Sequence, residues 1–243
     1  MREFSGEDGY NLLNNNLYIM SFKKQRMIER TNVRTLRELS SEYNVVLMDS
    51  SILYHKLMGN AKEPSEQEKS IAERLKFFDV LENYVDEGVP FSITSQVYQE
   101  YIQGHFPYKK ILRRKEVQLD RQRLELARKI MNMEKRGRRI VDILSDCGRI
   151  IELTDREKEL YDSLSQTNFG RSCYGLGKVD ADFLISGVVM SKTRGTTCLA
   201  SNDFKMFYKW RDFVIGQKID TPQFGFAVRV DINSFKLLDS NHR

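Results

Sequence analysis

The sequence predicts an α/β protein, a three-layer α/β/α sandwich around a central, mainly parallel sheet of about five strands. Short apolar runs rich in β-branched residues alternate with longer helical stretches along the chain, which is the pattern of a parallel sheet covered on both faces. The run VVLM at 45–48 contains no polar residue, as expected of a strand buried on both sides. A chain of 243 residues can build such a core without staples. Its three cysteines, Cys147, Cys173 and Cys198, are odd in number and show no CxxC spacing, which argues against a disulfide framework or a zinc site.

Residues 1–43 read as an N-terminal helical extension, polar at first (NLLNNN) and then charged through SFKKQRMIERTNVRTLRELSSEY. The α/β domain is expected over 44–243. After VVLM, a short helix should run from Ser51 to Met58, and a longer one from Ser65 to Val85 with a capping-box start at Ser65 and Glu68. Gly88 and Pro90 end it. PFSI is a second strand, and Thr94 caps a helix containing SQVYQEYIQG. A basic helical insertion at about 108–146 follows, weakened or interrupted near Gly137. RIIEL at 149–153 is a third strand, followed by a helix from Thr154 or Asp155, and GRSCYGLGKV reads as a loop. Asp180 to Ser191 is a helix, TTCLAS a fourth strand, DFKMFYKW a helix and FAVRVDI a last strand.

Charge is unevenly distributed. The net charge is +5, yet the segment from Tyr108 to Ile140 holds 13 Lys or Arg against 4 Asp or Glu, a local +9 that leaves the remainder at −4. A concentrated basic segment on an acidic protein points to a polyanion, nucleic acid first. Arg113, Arg114, Lys115, Arg136, Arg138 and Arg139 are its candidate contacts, and a solvated helical face paired with acids is the alternative. No stretch has the apolar length of a membrane span, and the opening MREFSGEDGYNLL lacks the basic-then-apolar order of a secretion signal. A cytoplasmic protein with no membrane partner is expected.

The carboxylates form a set. Asp49 follows the VVLM strand, and TCLASND ends an apolar strand with Ser201, Asn202 and Asp203, again just before a helix. Ligands of open parallel sheets bind at the carboxyl ends of the strands, so both acids belong at one edge. Asp180 and Asp182 open the helix that precedes the TTCLAS strand, and Glu100 lies on the helix after PFSI. Each has a plainer alternative: Asp49 as a helix cap, Asp180 and Asp182 as favourable charges at a helix N-terminus, Glu100 as a surface residue. Clustered carboxylates raise one another's pKa unless a cation offsets them. Oxygen ligands favour Mg²⁺ or Mn²⁺, and His55, His105 and His242 show no paired metal spacing.

In order, VVLMDSSIL, ITSQVYQEYIQ, GLGKVDADFLISG and CLASNDFKMF resemble the landmarks of the PIN-domain nucleases over roughly residues 44–232. The resemblance implies a PIN-like fold in which Asp49, Glu100, Asp180 and Asp203 gather as catalytic residues around Mg²⁺ or Mn²⁺. Asp182 becomes a supplementary ligand, with Ser51 and Ser201 as supporting hydroxyls. The implied activity is hydrolysis of RNA phosphodiester bonds by metal-activated water. The alternatives are a structure-specific DNA nuclease and a catalytically weak nucleic-acid-binding scaffold in a larger assembly. The helical insertion and the extension depart from a compact PIN domain and are candidate surfaces for a homodimer or a protein partner.

Other signals lead elsewhere. GRSCYGLGKV is no P-loop, since Lys178 is followed by Val179 rather than Ser or Thr; Arg171 and Lys178 remain candidate phosphate contacts beside the site. Ser51 stands where a haloacid-dehalogenase phosphatase needs its second Asp. Tyr208 and Trp210 in KMFYKWRDF read as core or lid packing before base stacking.

Overall fold

The computed structural model describes residues 33–53, 64–103, 121–219, 223–238 and 240. In chain order the strands are β1 (Val33–Arg34), β2 (Val45–Met48), β3 (Ile93–Thr94), β4 (Ile150–Ile151), β5 (Thr197–Ala200), β6 (Phe224–Asp231) and β7 (Ser234–Leu237). The helices are α1 (Leu36–Glu42), α2 (Ser50–Leu53), α3 (Pro64–Asp86), α4 (Ser95–Gln103), α5 (Arg121–Asp146), α6 (Asp155–Ser165), α7 (Asn168–Tyr174), α8 (Lys178–Thr193) and α9 (Phe204–Gln217).

The protein is α/β. Its larger sheet has the order β1-β7-β6-β5-β2, in which β2–β5 and β5–β6 are parallel while β6–β7 and β7–β1 are antiparallel. The expected mainly parallel sheet is thus corrected to a mixed one. Only Ile232 and Asn233 separate β6 from β7, and so short a connection can only reverse the chain, because a parallel partner needs a crossover. A smaller parallel pair, β3–β4, lies beside β2: the Met48 N–H donates to the Ser92 carbonyl at 2.8 Å and the Ser92 N–H to the Val46 carbonyl at 2.9 Å.

Residues 33–43, read as part of the extension, supply β1 and α1. A capping box between Thr35 and Glu38 starts α1, and its Leu36 and Leu39 are completely buried. At the other end of the core, Trp210 and Phe207 of α9 pack on Phe224 and Phe226 of β6 with ring centroids 5.5–6.3 Å apart, so Trp210 is a core residue. Between the layers, α8 is buried from Phe183 to Met190 and packs on β5, α4, α6 and α7. A helix apolar on all sides is one enclosed by other elements.

Two sequence expectations change for steric reasons. Helix α5 runs unbroken through Gly137, where a Cβ would come within 3.1 Å of the Phe78 ring and 3.4 Å of the Tyr101 hydroxyl. The glycine therefore admits close helix packing rather than weakening the helix. Likewise, part of GRSCYGLGKV is the helix α7, capped by the Thr167 hydroxyl, which accepts from the Gly170 N–H at 3.2 Å. Gly170 lies against the Leu164 carbonyl, where no side chain fits.

Candidate active site

The site grows out of the β2–β5 register. Met48 pairs with Ala200, so Asp49 and Ser201 leave the sheet side by side, and the Asp49 N–H donates to the Ala200 carbonyl at 2.9 Å. Asp49 is 1% exposed. Its carboxylate accepts from the Ser201 hydroxyl at 2.8 Å, the Ser51 N–H at 3.2 Å and the Ser50 hydroxyl at 3.4 Å. The Ser51 and Ser201 hydroxyls lie 3.1 Å apart. Ser51 accepts from the Asn202 N–H at 2.9 Å, and Ser201 from the Asp203 N–H at 3.0 Å. Two serines thus tie the ends of β2 and β5 into one polar network. Asp203 caps α9 by accepting from the Lys205 N–H at 2.7 Å.

Asp180 arrives from the first turn of α8. The preceding Gly177 has φ 134°, a conformation open to glycine, and a Cβ there would stand 3.6 Å from the Asp180 carboxylate. Glu100 comes from α4, whose start is held by the Thr94 hydroxyl accepting from the Val97 N–H at 3.3 Å. Burial pushes Asp180 up to about 6, and the charges of Asp49, Asp203 and Glu100 add to the rise while Lys205 opposes it. Burial also pushes Asp49 up, against the hydrogen bonds from Ser51 and Ser201. The fold therefore brings Asp49, Glu100 and Asp203 within electrostatic reach of Asp180.

Electrostatic reach is longer than ligation distance. Among the described residues, no group of three or more His, Cys, Asp or Glu side chains is drawn together closely enough to hold a metal ion. The donor set, all oxygen and mutually repelling, would suit a hard divalent cation, and a cation would offset the neighbouring charges that add to the rise of Asp180.

Asp182 does not join this cluster. Residues two apart on a helix point roughly 200° apart, and the Asp182 carboxylate faces the Tyr161 and Thr94 hydroxyls instead, with burial pushing it up and Lys178 opposing. It lines an open cavity of about 430 Å³ shared with Gln96, Tyr161, Tyr174 and Lys178.

The basic candidates divide. Arg136 is paired with Asp79 at 2.9 Å and also with Glu82, and Arg139 with Glu82 at 3.3 Å, so both dock α5 on α3. Arg138 is exposed. Arg171 turns its Nε to the Gln166 carbonyl at 3.0 Å. Arg113, Arg114, Lys115, His55, His105 and His242 lie outside the described residues.

Sequence reading missed several supporting groups. Asn202 accepts from the Arg229 N–H at 3.1 Å, fixing the β5 exit to β6. Arg74 and Tyr101 donate to the carbonyls of Ile52 and Leu53, the latter at 2.8 Å, and so steady α2 beside Asp49. Lys205, a cation two residues beyond Asp203, was detectable from that spacing alone. Comparison with protein-family models, curated proteins and solved structures finds no significant match. Among the described residues, no helix is long and apolar enough to cross a membrane.

Proposed function

We propose that this chain is a divalent-cation-dependent ribonuclease of PIN type that hydrolyses phosphodiester bonds with water. The observation that carries the reading is the state of Asp180, a carboxyl raised to about 6 by burial and by Asp49, Asp203 and Glu100. Strongly perturbed acids at one sheet edge mark functional sites, and the PIN resemblance supplies the same residues. Bound among them, Mg²⁺ or Mn²⁺ would lower the pKa of a water and neutralise charge on the phosphodiester. Asp49 contributes an oxygen fixed by Ser51 and Ser201. Lys205 adds a positive charge within electrostatic reach of Asp180, where it would favour a phosphate. The alternative reading is a nucleic-acid-binding scaffold without turnover.

Cleavage of end-labelled RNA decides between them. With Mg²⁺ or Mn²⁺ present, cleavage is expected, and chelator or Asp203→Asn should abolish it in folded protein. Binding without cleavage under any divalent cation assigns the scaffold.

The basic helix supports an RNA-binding role for this chain. Each phosphate neutralised on a single strand should contribute about −0.7 to the slope of log affinity against log salt. Arg138→Gln is expected to flatten that slope, whereas Arg136→Gln, which breaks the pairing with Asp79 and Glu82, should lower stability and leave the slope alone. Equal slopes for wild type and Arg138→Gln would remove Arg138 from the nucleic-acid surface.

A further inference from the structure

The cavity beside the carboxylates is not used by the hydrolytic chemistry, yet the elements that line it also carry the site. Gln96 and Glu100 lie one helical turn apart on the same face of α4, and Asp182 and Asp180 share the first two turns of α8. The cavity, about 430 Å³, is therefore built on the same two helices that carry Glu100 and Asp180, on the Asp182 side of α8. Its walls differ in character from the cluster. Tyr174 lines it and is 46% exposed, so part of its ring is open to a ligand. The Tyr161 hydroxyl faces both the Tyr174 hydroxyl and the Asp182 carboxylate. Lys178 supplies a cation on the α8 side.

We propose that this cavity is a base-binding subsite of a single-stranded nucleic acid, in which Tyr174 stacks on one unstacked base and Asp182 with Gln96 reads its edge, preferring guanine. Aromatic faces accept any base, and alanine substitution at such stacking positions typically weakens binding by about tenfold or more. Edge reading needs a partner of opposite hydrogen-bond character. A carboxylate offers about four lone-pair positions, and Tyr161 and Thr94 occupy some of those on Asp182. Guanine presents two adjacent donors on its Watson–Crick edge and so matches a carboxylate acceptor better than the other bases. The Gln96 amide can donate to the neighbouring carbonyl of the same base. Phosphate contacts hold a strand in place while base contacts select sequence, so Lys178 positions and Asp182 discriminates.

That the helices lining the cavity also carry a catalytic site rests on the nuclease reading, but base binding does not. The test therefore measures binding without turnover: titration of the four nucleoside 5′-monophosphates into full-length protein in chelator, followed calorimetrically. Guanosine 5′-monophosphate is expected to bind at least about tenfold more tightly than uridine 5′-monophosphate. Tyr174→Ala should weaken all four by about tenfold, with Tyr174→Phe restoring affinity. Asp182→Asn should erase the preference for guanosine while stacking affinity remains. Thermal melts establish that each variant is folded. Absence of binding, or binding untouched by Tyr174→Ala, overturns the subsite even where the chain cuts RNA in an Asp203-dependent way. Guanosine-selective binding lost in these variants, in a protein that cuts no RNA, keeps the subsite and sinks the nuclease reading.

Discussion

Asp49→Asn is expected to abolish RNA hydrolysis while making the cation-free protein more stable. On activity, the loss should be on the order of 10³-fold, equivalent to about 4 kcal/mol of barrier, because the residue that leaves β2 into the polar network can no longer offer a negative oxygen. Stability moves the other way. Burial raises the Asp49 carboxyl, so folding favours its protonated form; the stability this brings is present at low pH and is lost as pH rises past the ordinary aspartate range. Asparagine stays uncharged at neutral pH and keeps that stability. Its oxygen can still accept from Ser201 and the Ser51 N–H, and its amide can donate to the Ser50 hydroxyl, which rotates to suit. A gain of about 1 kcal/mol corresponds to roughly 2–4 °C for a domain of this size. Melting curves in chelator, beside cleavage assays in Mn²⁺, measure both. Undiminished cleavage removes Asp49 from the site, and a lowered melting temperature shows that its charge stabilises the fold. Adding Mn²⁺ should then raise the melting temperature of wild type more than that of the variant, because a ligand that binds only the folded state stabilises it by mass action.

The strand-end acids were legible because their signal is local. An apolar run that gives way to polar residues and an Asp just before a helix states both the element and its end, and this holds at Asp49 and, after Ser201 and Asn202, at Asp203. Capping chemistry was equally readable at Thr94, whose hydroxyl accepts from the Val97 N–H three residues on. Non-local pairing was not. The two-residue strand Val33–Arg34 carries no periodicity and exists because Ser234–Leu237 offers it a partner more than two hundred residues away. Gly137 and Gly170 were misread for a related reason. Composition marks a glycine as a breaker, but whether it breaks a helix or admits a neighbouring one depends on what packs there, here Phe78 and the Leu164 carbonyl. Asp182 shows the same limit at the site. Motif order groups it with Asp180, and helical geometry turns it towards Tyr161.

Breaking the ion pair between Glu157 and Arg194 is expected to be the most damaging single change outside the apolar core. Glu157 is 4% exposed. Its carboxylate accepts from Arg194 Nε and Nη2, each at 2.7 Å, from the Thr193 hydroxyl at 2.8 Å and from the Thr154 N–H at 2.9 Å. These bonds join the start of α6 to the end of α8, the helix whose other end carries Asp180. Glu157→Ala leaves the guanidinium and two threonines without their shared acceptor, and removal of one partner of a buried pair costs about 3–5 kcal/mol. Since Arg194 is one-third exposed, the lower end of that range applies. Acid should reveal the same bond. Arg194 first, then the threonines, hold Glu157 far below the ordinary glutamate range, so its contribution is complete above the unfolded pKa of about 4.3 and is lost as pH falls below it towards the folded value. Glu157→Gln, uncharged throughout, should lose that part of the acid dependence. Denaturant midpoints between pH 7 and pH 3 test both statements. A Glu157→Ala midpoint equal to wild type would show that α6 and α8 are held by apolar packing alone, and an unchanged acid slope in Glu157→Gln would place the acid-sensitive group elsewhere.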